Sequence, residues 1–162
     1  MADRIYKMSF DIASYRGILL DTNLLLLLTA GLYSPKKIQE FKRTQAFDSQ
    51  DYEELIKLIS RSKKLFTTPN ILTEASNFLG NDLMPVLGTL IGEFEECYVK
   101  SSQIVEENTK LFEKFGLSDA VIKQLSTENI LIITVDLPLC HFISSLGLPV
   151  MNFTHIRGQY LL

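Results

Sequence analysis

Short apolar runs alternate along this chain with longer segments in which apolar positions recur every three or four residues, predicting strands and helices in turn. Ile18-Leu19-Leu20 is uniformly apolar and ends on Asp21, as a strand covered on both faces does. Leu24 to Leu28 opens a helix that Ser34-Pro35 interrupts, and residues 35–43 form a basic connector or short helix. Over residues 48–64, Tyr52, Leu55, Ile56 and Ile59 recur at helical spacing, with acids first and bases last in accord with the helix dipole. Residues 65–68 read as a second strand. Pro69 then suits the first turn of a helix capped by Thr68 or Asn70, with Ile71, Leu72, Ala75 and Phe78 inward and a stop near Gly80-Asn81.

Farther along, residues 83–96 are expected to form one apolar-striped helix and residues 98–100 a short edge strand. Ser101 or Ser102 caps a helix ending at Phe115-Gly116, and Ser118 caps another that runs to about Thr127. Leu131-Ile132-Ile133-Thr134 is the clearest strand, followed by Asp136. Residues 138–146 make a helix closed by Gly147, and residues 150–153 a last strand. Alternation of this kind implies an α/β fold, a three-layer α/β/α sandwich with a central, mostly parallel sheet. The 162 residues suit one domain, 1–162, with no internal repeat.

Composition changes this picture little: 46% apolar and 22% charged residues place the chain among ordinary globular proteins. The apolar stretch over residues 18–30 is broken by polar residues and falls short of a bilayer span, so no membrane role is expected. Residues 1–10 carry Asp3, Arg4 and Lys7 and no signal-type apolar region, which leads to a cytoplasmic expectation. Cys97 and Cys140 lack metal or disulfide spacing and read as core thiols, and His141 and His155 are isolated.

A net charge of −3 argues against a protein that coats nucleic acid. Two basic clusters soften that objection: Lys36, Lys37, Lys42 and Arg43 in one segment, and Arg61, Lys63 and Lys64 in another. They read either as RNA contacts or as solvated helix faces.

Ligands of a parallel sheet bind at the carboxyl ends of its strands, and four acids are expected there. Asp21 follows the first strand and Asp136 the fourth, so the two share an edge if those strands are neighbours. Glu74 lies one turn into the helix after the second strand, and Asp119 in the first turn of the helix before the fourth. Glu74 within Ile71-Leu72-Thr73-Glu74-Ala75, and Asp119 before Ala120-Val121-Ile122, border core positions and call for a partner. Taken singly, each acid is equally a cap, turn or surface residue. Together, clustered carboxylates repel and take up protons unless a cation neutralises them, and an all-oxygen set selects Mg²⁺ or Mn²⁺. Hydrolysis of a phosphodiester uses that chemistry.

At these residues the chain resembles the PIN-domain nuclease family. Leu20-Asp21-Thr22-Asn23 is similar to its opening motif, Thr73-Glu74-Ala75 to its second acid, and Ser118-Asp119-Ala120 and Thr134-Val135-Asp136 to its third and fourth. The resemblance runs from Ile18 to Phe153. It implies a metal-dependent ribonuclease, common among VapC-type toxins of toxin–antitoxin pairs and among RNA-processing nucleases. Asp21, Glu74, Asp119 and Asp136 would bind the metal and carry catalysis, with Asn23 and Thr134 beside them; Asn23 could equally cap the following helix. An antitoxin protein and a homodimer are partners that the family implies.

The chain departs from compact PIN toxins in an N-terminal extension, 1–17, a basic insertion, 32–50, and a less basic balance. A haloacid-dehalogenase phosphatase would need an acid where Asn23 stands. A phosphate-binding glycine loop and a GxSxG elbow are both missing. The remaining alternative is a PIN-like module that binds RNA or protein without turnover.

Overall fold

The computed structural model describes residues 11–156, so residues 1–10 of the N-terminal extension lie outside the described residues. Five parallel strands form the sheet: β1 (Gly17–Leu20), β2 (Leu65–Thr67), β3 (Glu95–Glu96), β4 (Ile130–Thr134) and β5 (Val150–Asn152), in the order β3-β2-β1-β4-β5. Every pairing is parallel, and the sheet is flanked by helices in a three-layer α/β/α arrangement. Right-handed crossovers require the helices between β1 and β3 and those between β3 and β5 to cover opposite faces. β1 and β4 are buried along their whole length, which explains why neither alternates polar and apolar residues.

The leucine run is the centre of the core. Helix α1 (Thr22–Tyr33) buries Leu24 to Leu28 together with Thr29, Ala30 and Gly31, and so is apolar nearly all round. Each buried leucine contributes about 1.5–3 kcal/mol of transfer free energy. Among the described residues no helix is long and apolar enough to cross a membrane. The basic insertion is ordered: α2 (Pro35–Glu40) is capped by Ser34, a 3-10 turn spans Lys42–Thr44, and Ile38 and Thr44 are buried.

Helix α3 (Ser49–Ser60) starts at an Asp48/Asp51 capping box. It turns Leu55 and Leu58 inward and leaves Ile56 exposed, contrary to the periodicity reading, because Asp51 and Glu54 occupy buried positions on that face. Helix α4 (Pro69–Phe78) is capped by Thr68, whose Oγ1 accepts from Ile71 N.

The region between β2 and β4 departs most from expectation. Helix α5 covers only Met84–Ile91, ending at Gly92, and the edge strand is β3 rather than residues 98–100. Pairing decides its place: Phe66 and Thr67 take Glu95 and Glu96 as partners, and Cys97 N donates to Thr67 O at 2.8 Å. The expected helix over residues 101–115 is two, α6 (Ser101–Glu107) and α7 (Thr109–Phe115), and no serine caps the first. Asn108 separates them with φ −132° and ψ 41°. Its side chain is drawn into the next helix, accepting from Lys123 Nζ at 2.6 Å and donating to Gln124 Oε1 at 3.3 Å.

Helix α8 (Leu117–Ser126) begins at Gly116, whose φ of +91° turns the chain sharply, so Ser118 lies in the first turn and makes no cap. Helix α9 (Leu137–Ser145) is capped by Asp136, and the last strand stops at Asn152, where α10 (Phe153–Ile156) begins. Cys140 is buried and Cys97 half-buried.

Candidate functional site

Strands β1 and β4 are adjacent and in register, Leu20 opposite Ile133, so the residues following each leave the sheet at one carboxyl edge. The strand order also reverses here, since β2 and β3 extend the sheet from one side of β1 and β4 and β5 from the other. Successive helices depart to opposite faces at such a point and leave a crevice between the strand ends.

Asp21 occupies the crevice floor. It is the N-cap of α1, in extended conformation, and its side chain is buried. Oδ1 accepts from Leu24 N at 2.9 Å, and Oδ2 accepts from Thr134 Oγ1 at 2.5 Å and Val135 N at 2.8 Å. The Thr134 hydroxyl in turn accepts from Asp136 N at 2.9 Å, which commits its own proton to Asp21. Asp136 caps α9 through Oδ1, which accepts from Leu139 N at 2.9 Å. One fully buried threonine thus ties the two strand ends together.

Asp119 sits half-buried in the first turn of α8, and Glu74 is exposed on α4. The expectation that Glu74 borders the core is therefore corrected: Ile71 and Ala75 fill the inward face, and Glu74 stands at its flank. Glu74 still acts on the site. Burial, then the charges of Asp136, Glu74 and Asp21, push the Asp119 carboxyl up to about 7. Burial likewise raises the Asp21 carboxyl, against the lowering effect of its three hydrogen bonds, and Asp136 adds to the rise. All four acids therefore share one electrostatic neighbourhood.

The donor set is entirely oxygen and carries negative charge that protons partly relieve, which fits a hard divalent cation. Among the described residues no three His, Cys, Asp or Glu side chains stand together as a ready-formed ligand group. Asp119 and Glu74 are not fully buried and retain side-chain freedom, whereas Asp21 is held by its three donors and Asp136 by its cap bond from Leu139 N.

Asn23 is exposed in the first turn of α1; the cap is Asp21, so the capping alternative for Asn23 is overturned. The two basic clusters do not join the acids. Lys36, Lys37, Lys42 and Arg43 follow the end of α1 opposite Asp21, about 18 Å along a 12-residue helix. There Lys36 pairs with Glu40, Lys37 bonds Asp82, and Arg43 lies 3.6 Å from the centre of the Phe78 ring. Arg61, Lys63 and Lys64 precede β2 at the amino edge of the sheet, where Lys64 O accepts from Ile18 N and its ammonium pairs with Glu95 at 2.6 Å.

One open depression includes an acid of the site, and a second starts at the residue after Asp136. The first, between α4 and α8, is lined by Asn70, Glu74, Asn77 and Ser118. The second begins at Leu137 and is lined by Lys114, Pro138, His141 and Phe142. Sequence reading passed over Lys114 and set His141 aside as isolated, because only the packing of α7 against the start of α9 unites them.

No family model matches the chain, and neither a curated protein nor a solved structure is detectably similar to it.

Proposed function

We propose that this protein is a divalent-metal-dependent endoribonuclease of the PIN type, with Asp21, Glu74, Asp119 and Asp136 as its metal-binding and catalytic acids. The observation that carries the reading is the gathering of acids at the switch point of a parallel sheet, where Thr134 ties Asp21 to Asp136 and where burial and the other three acids push the Asp119 carboxyl up to about 7. Structural acids are seldom gathered at such a cost without a cation to offset it.

The chain's own residues divide the work. Asp21, fixed by Leu24 N, Thr134 Oγ1 and Val135 N, is the rigid ligand, and Thr134 sets its distance from Asp136. Glu74 on α4 and Asp119 on α8, helices that cover opposite faces of the sheet, would complete the oxygen set. When bound, Mg²⁺ or Mn²⁺ would supply an activated water and stabilise charge on the phosphoryl oxygens. Asp119, whose carboxyl burial and the neighbouring acids push up to about 7, would release its proton to serve as a ligand.

The test is incubation of labelled single-stranded RNA and DNA with Mg²⁺, Mn²⁺ or EDTA, beside a folded Asp119→Asn variant. Cleavage of RNA that needs metal and is lost in the variant supports the proposal. Metal binding without cleavage of either nucleic acid overturns it in favour of a binding module. The family likeness also suggests a toxin held by a small partner protein, for which growth arrest on expression, relieved by the product of a neighbouring gene, is the diagnostic result.

A further inference from the structure

The carboxylate edge is acidic, and an RNA strand approaching it is repelled unless cations stand nearby. The basic clusters conspicuous in the sequence lie elsewhere, at the far end of α1 and at the amino edge of the sheet. Lys114 and His141 are the cationic or proton-donating side chains that line the depression beginning at Leu137, the residue after Asp136.

The construction of that depression suits one nucleotide. Its volume, ≈ 460 Å³, lies in the range that holds a small organic ligand. Leu137, 44% exposed at the first position of α9, and Pro138 give it an apolar rim. Phe142 is half-buried with its ring 6.0 Å from that of Phe115, so it presents a fixed aromatic surface. Lys114 Nζ is 5.1 Å from the Phe115 ring, and among the described residues it forms no salt bridge. An ammonium without a carboxylate partner, beside aromatic and apolar surface, can hold a backbone phosphate while a base stacks next to it.

The geometry points to a nucleotide-binding subsite for single-stranded RNA, formed by Lys114, His141, Leu137 and Phe142 and flanking the phosphodiester held at the four acids. Lys114 takes the phosphate adjacent to the one cut, His141 donates a hydrogen bond to the same backbone, and the base rests on Phe142 and Leu137. The inference rests on the nuclease reading for the class of ligand, and it adds the side from which the strand enters. A stacked base and a single phosphate contact favour unpaired RNA over a duplex, whose bases are not available to stack.

The experiment is equilibrium binding of a short fluorescein-labelled oligouridylate, followed by anisotropy from about 50 to about 200 mM salt, in EDTA so that binding is read apart from cleavage. Lys114→Ala is expected to weaken binding about fivefold at about 0.1 M salt and to reduce the salt slope by about 0.7, the contribution of one phosphate on a single strand. Lys114→Arg restores both. Joint replacement of Arg61, Lys63 and Lys64 by alanine leaves the slope unchanged. Lys114 is exposed, so the substitution tests binding rather than folding. Failure of the wild-type protein to bind the oligonucleotide overturns the subsite, as does a Lys114→Ala variant with wild-type affinity and slope. Metal-dependent cleavage, measured separately on the wild-type protein, judges the nuclease reading: cleavage with an indifferent Lys114 sinks the subsite alone, and Lys114-dependent binding without cleavage sinks the nuclease alone.

Discussion

Thr134 Oγ1 donates to Asp21 Oδ2 at 2.5 Å, joining residues 113 positions apart at the ends of two neighbouring parallel strands. Because the same oxygen accepts from Asp136 N, the hydroxyl works in one direction only. It holds a buried carboxylate on one side and fixes the turn into α9 on the other. A side chain of the same shape without the hydroxyl leaves Asp136 N without its acceptor and takes from the buried Asp21 Oδ2 one of its two donors.

Thr134→Val is therefore expected to destabilise the fold by about 1–3 kcal/mol, the cost of buried polar groups left unpaired. Thr134→Ser keeps the hydroxyl and loses only a methyl, so it should retain most of the stability. If the four acids bind metal, the valine variant should also lose roughly 10- to 100-fold in metal affinity or activity, as happens when ligand-orienting groups are removed. Chemical denaturation of the two variants, with calorimetric titration of Mn²⁺, separates the effects. Equal stability of valine and serine variants would show that the hydroxyl bond contributes nothing.

Much of this arrangement was legible in the residues themselves. Strand ends at Asp21 and Asp136 follow from two apolar runs, Ile18-Leu19-Leu20 and Leu131-Ile132-Ile133-Thr134, that are buried on both faces and have few alternative readings. The cap of α4 was readable as Thr68 or Asn70 because Pro69 fixes the first turn, and the bond from Ile71 N decides for Thr68. Glu95–Glu96 as an edge strand was not, since two glutamates carry no strand propensity and are paired only because β2 lies beside them. The break at Asn108 depends on Lys123 and Gln124, which no local pattern connects to it. Exposure of Glu74 was misread for a related reason: apolar neighbours in sequence lie on different sides of a helix.

Gly17 shows a constraint that only packing reveals. A Cβ at this position would stand 2.5 Å from Lys64 O and 2.5 Å from the Phe66 ring, inside the β1–β2 pairing. Gly17→Ala should cost about 1–3 kcal/mol through overpacking, although alanine suits a strand poorly rather than badly. Thermal unfolding checks this, and a change within a few tenths of a kcal/mol would show that β2 moves aside freely.

Placement of the basic clusters leads to a contrast in kinetics. Arg61, Lys63 and Lys64 stand at the amino edge of the sheet, roughly 10 Å along β1 from Asp21, and Lys64 is already paired with Glu95. Their joint replacement by alanine should leave kcat/KM for a short RNA within about twofold, a surface effect of small size. Lys114→Ala should raise KM and leave kcat unchanged, since it removes binding common to ground and transition states. A large loss of kcat/KM in the triple variant would place the substrate on the opposite edge from the acids.

Asp119 couples stability to pH and, on the proposed reading, to metal. Its folded-state pKa of about 7 lies above the ordinary carboxylate value of 3.8, so between those values the folded protein holds a proton that the unfolded chain has released. Its contribution to stability is fully present below the unfolded pKa and is lost as pH rises through about 7. The metal-free protein should accordingly melt at lower temperature at pH 8 than at pH 5.5. Asp119→Asn should flatten that dependence and at pH 8 raise stability by up to about 1 kcal/mol, a modest figure because the group is partly exposed and screened. If a cation binds at Asp119 it must displace that proton, so Mn²⁺ affinity should climb about tenfold per pH unit up to about 7 and level above it. At a concentration 100 times Kd the metal should add about 2.7 kcal/mol of stability. Melting curves with and without Mn²⁺ across this range supply the readout. A wild-type profile no steeper than that of the asparagine variant would mean that Asp119 does not carry the excess proton, and the electrostatic basis of the site would fall with it.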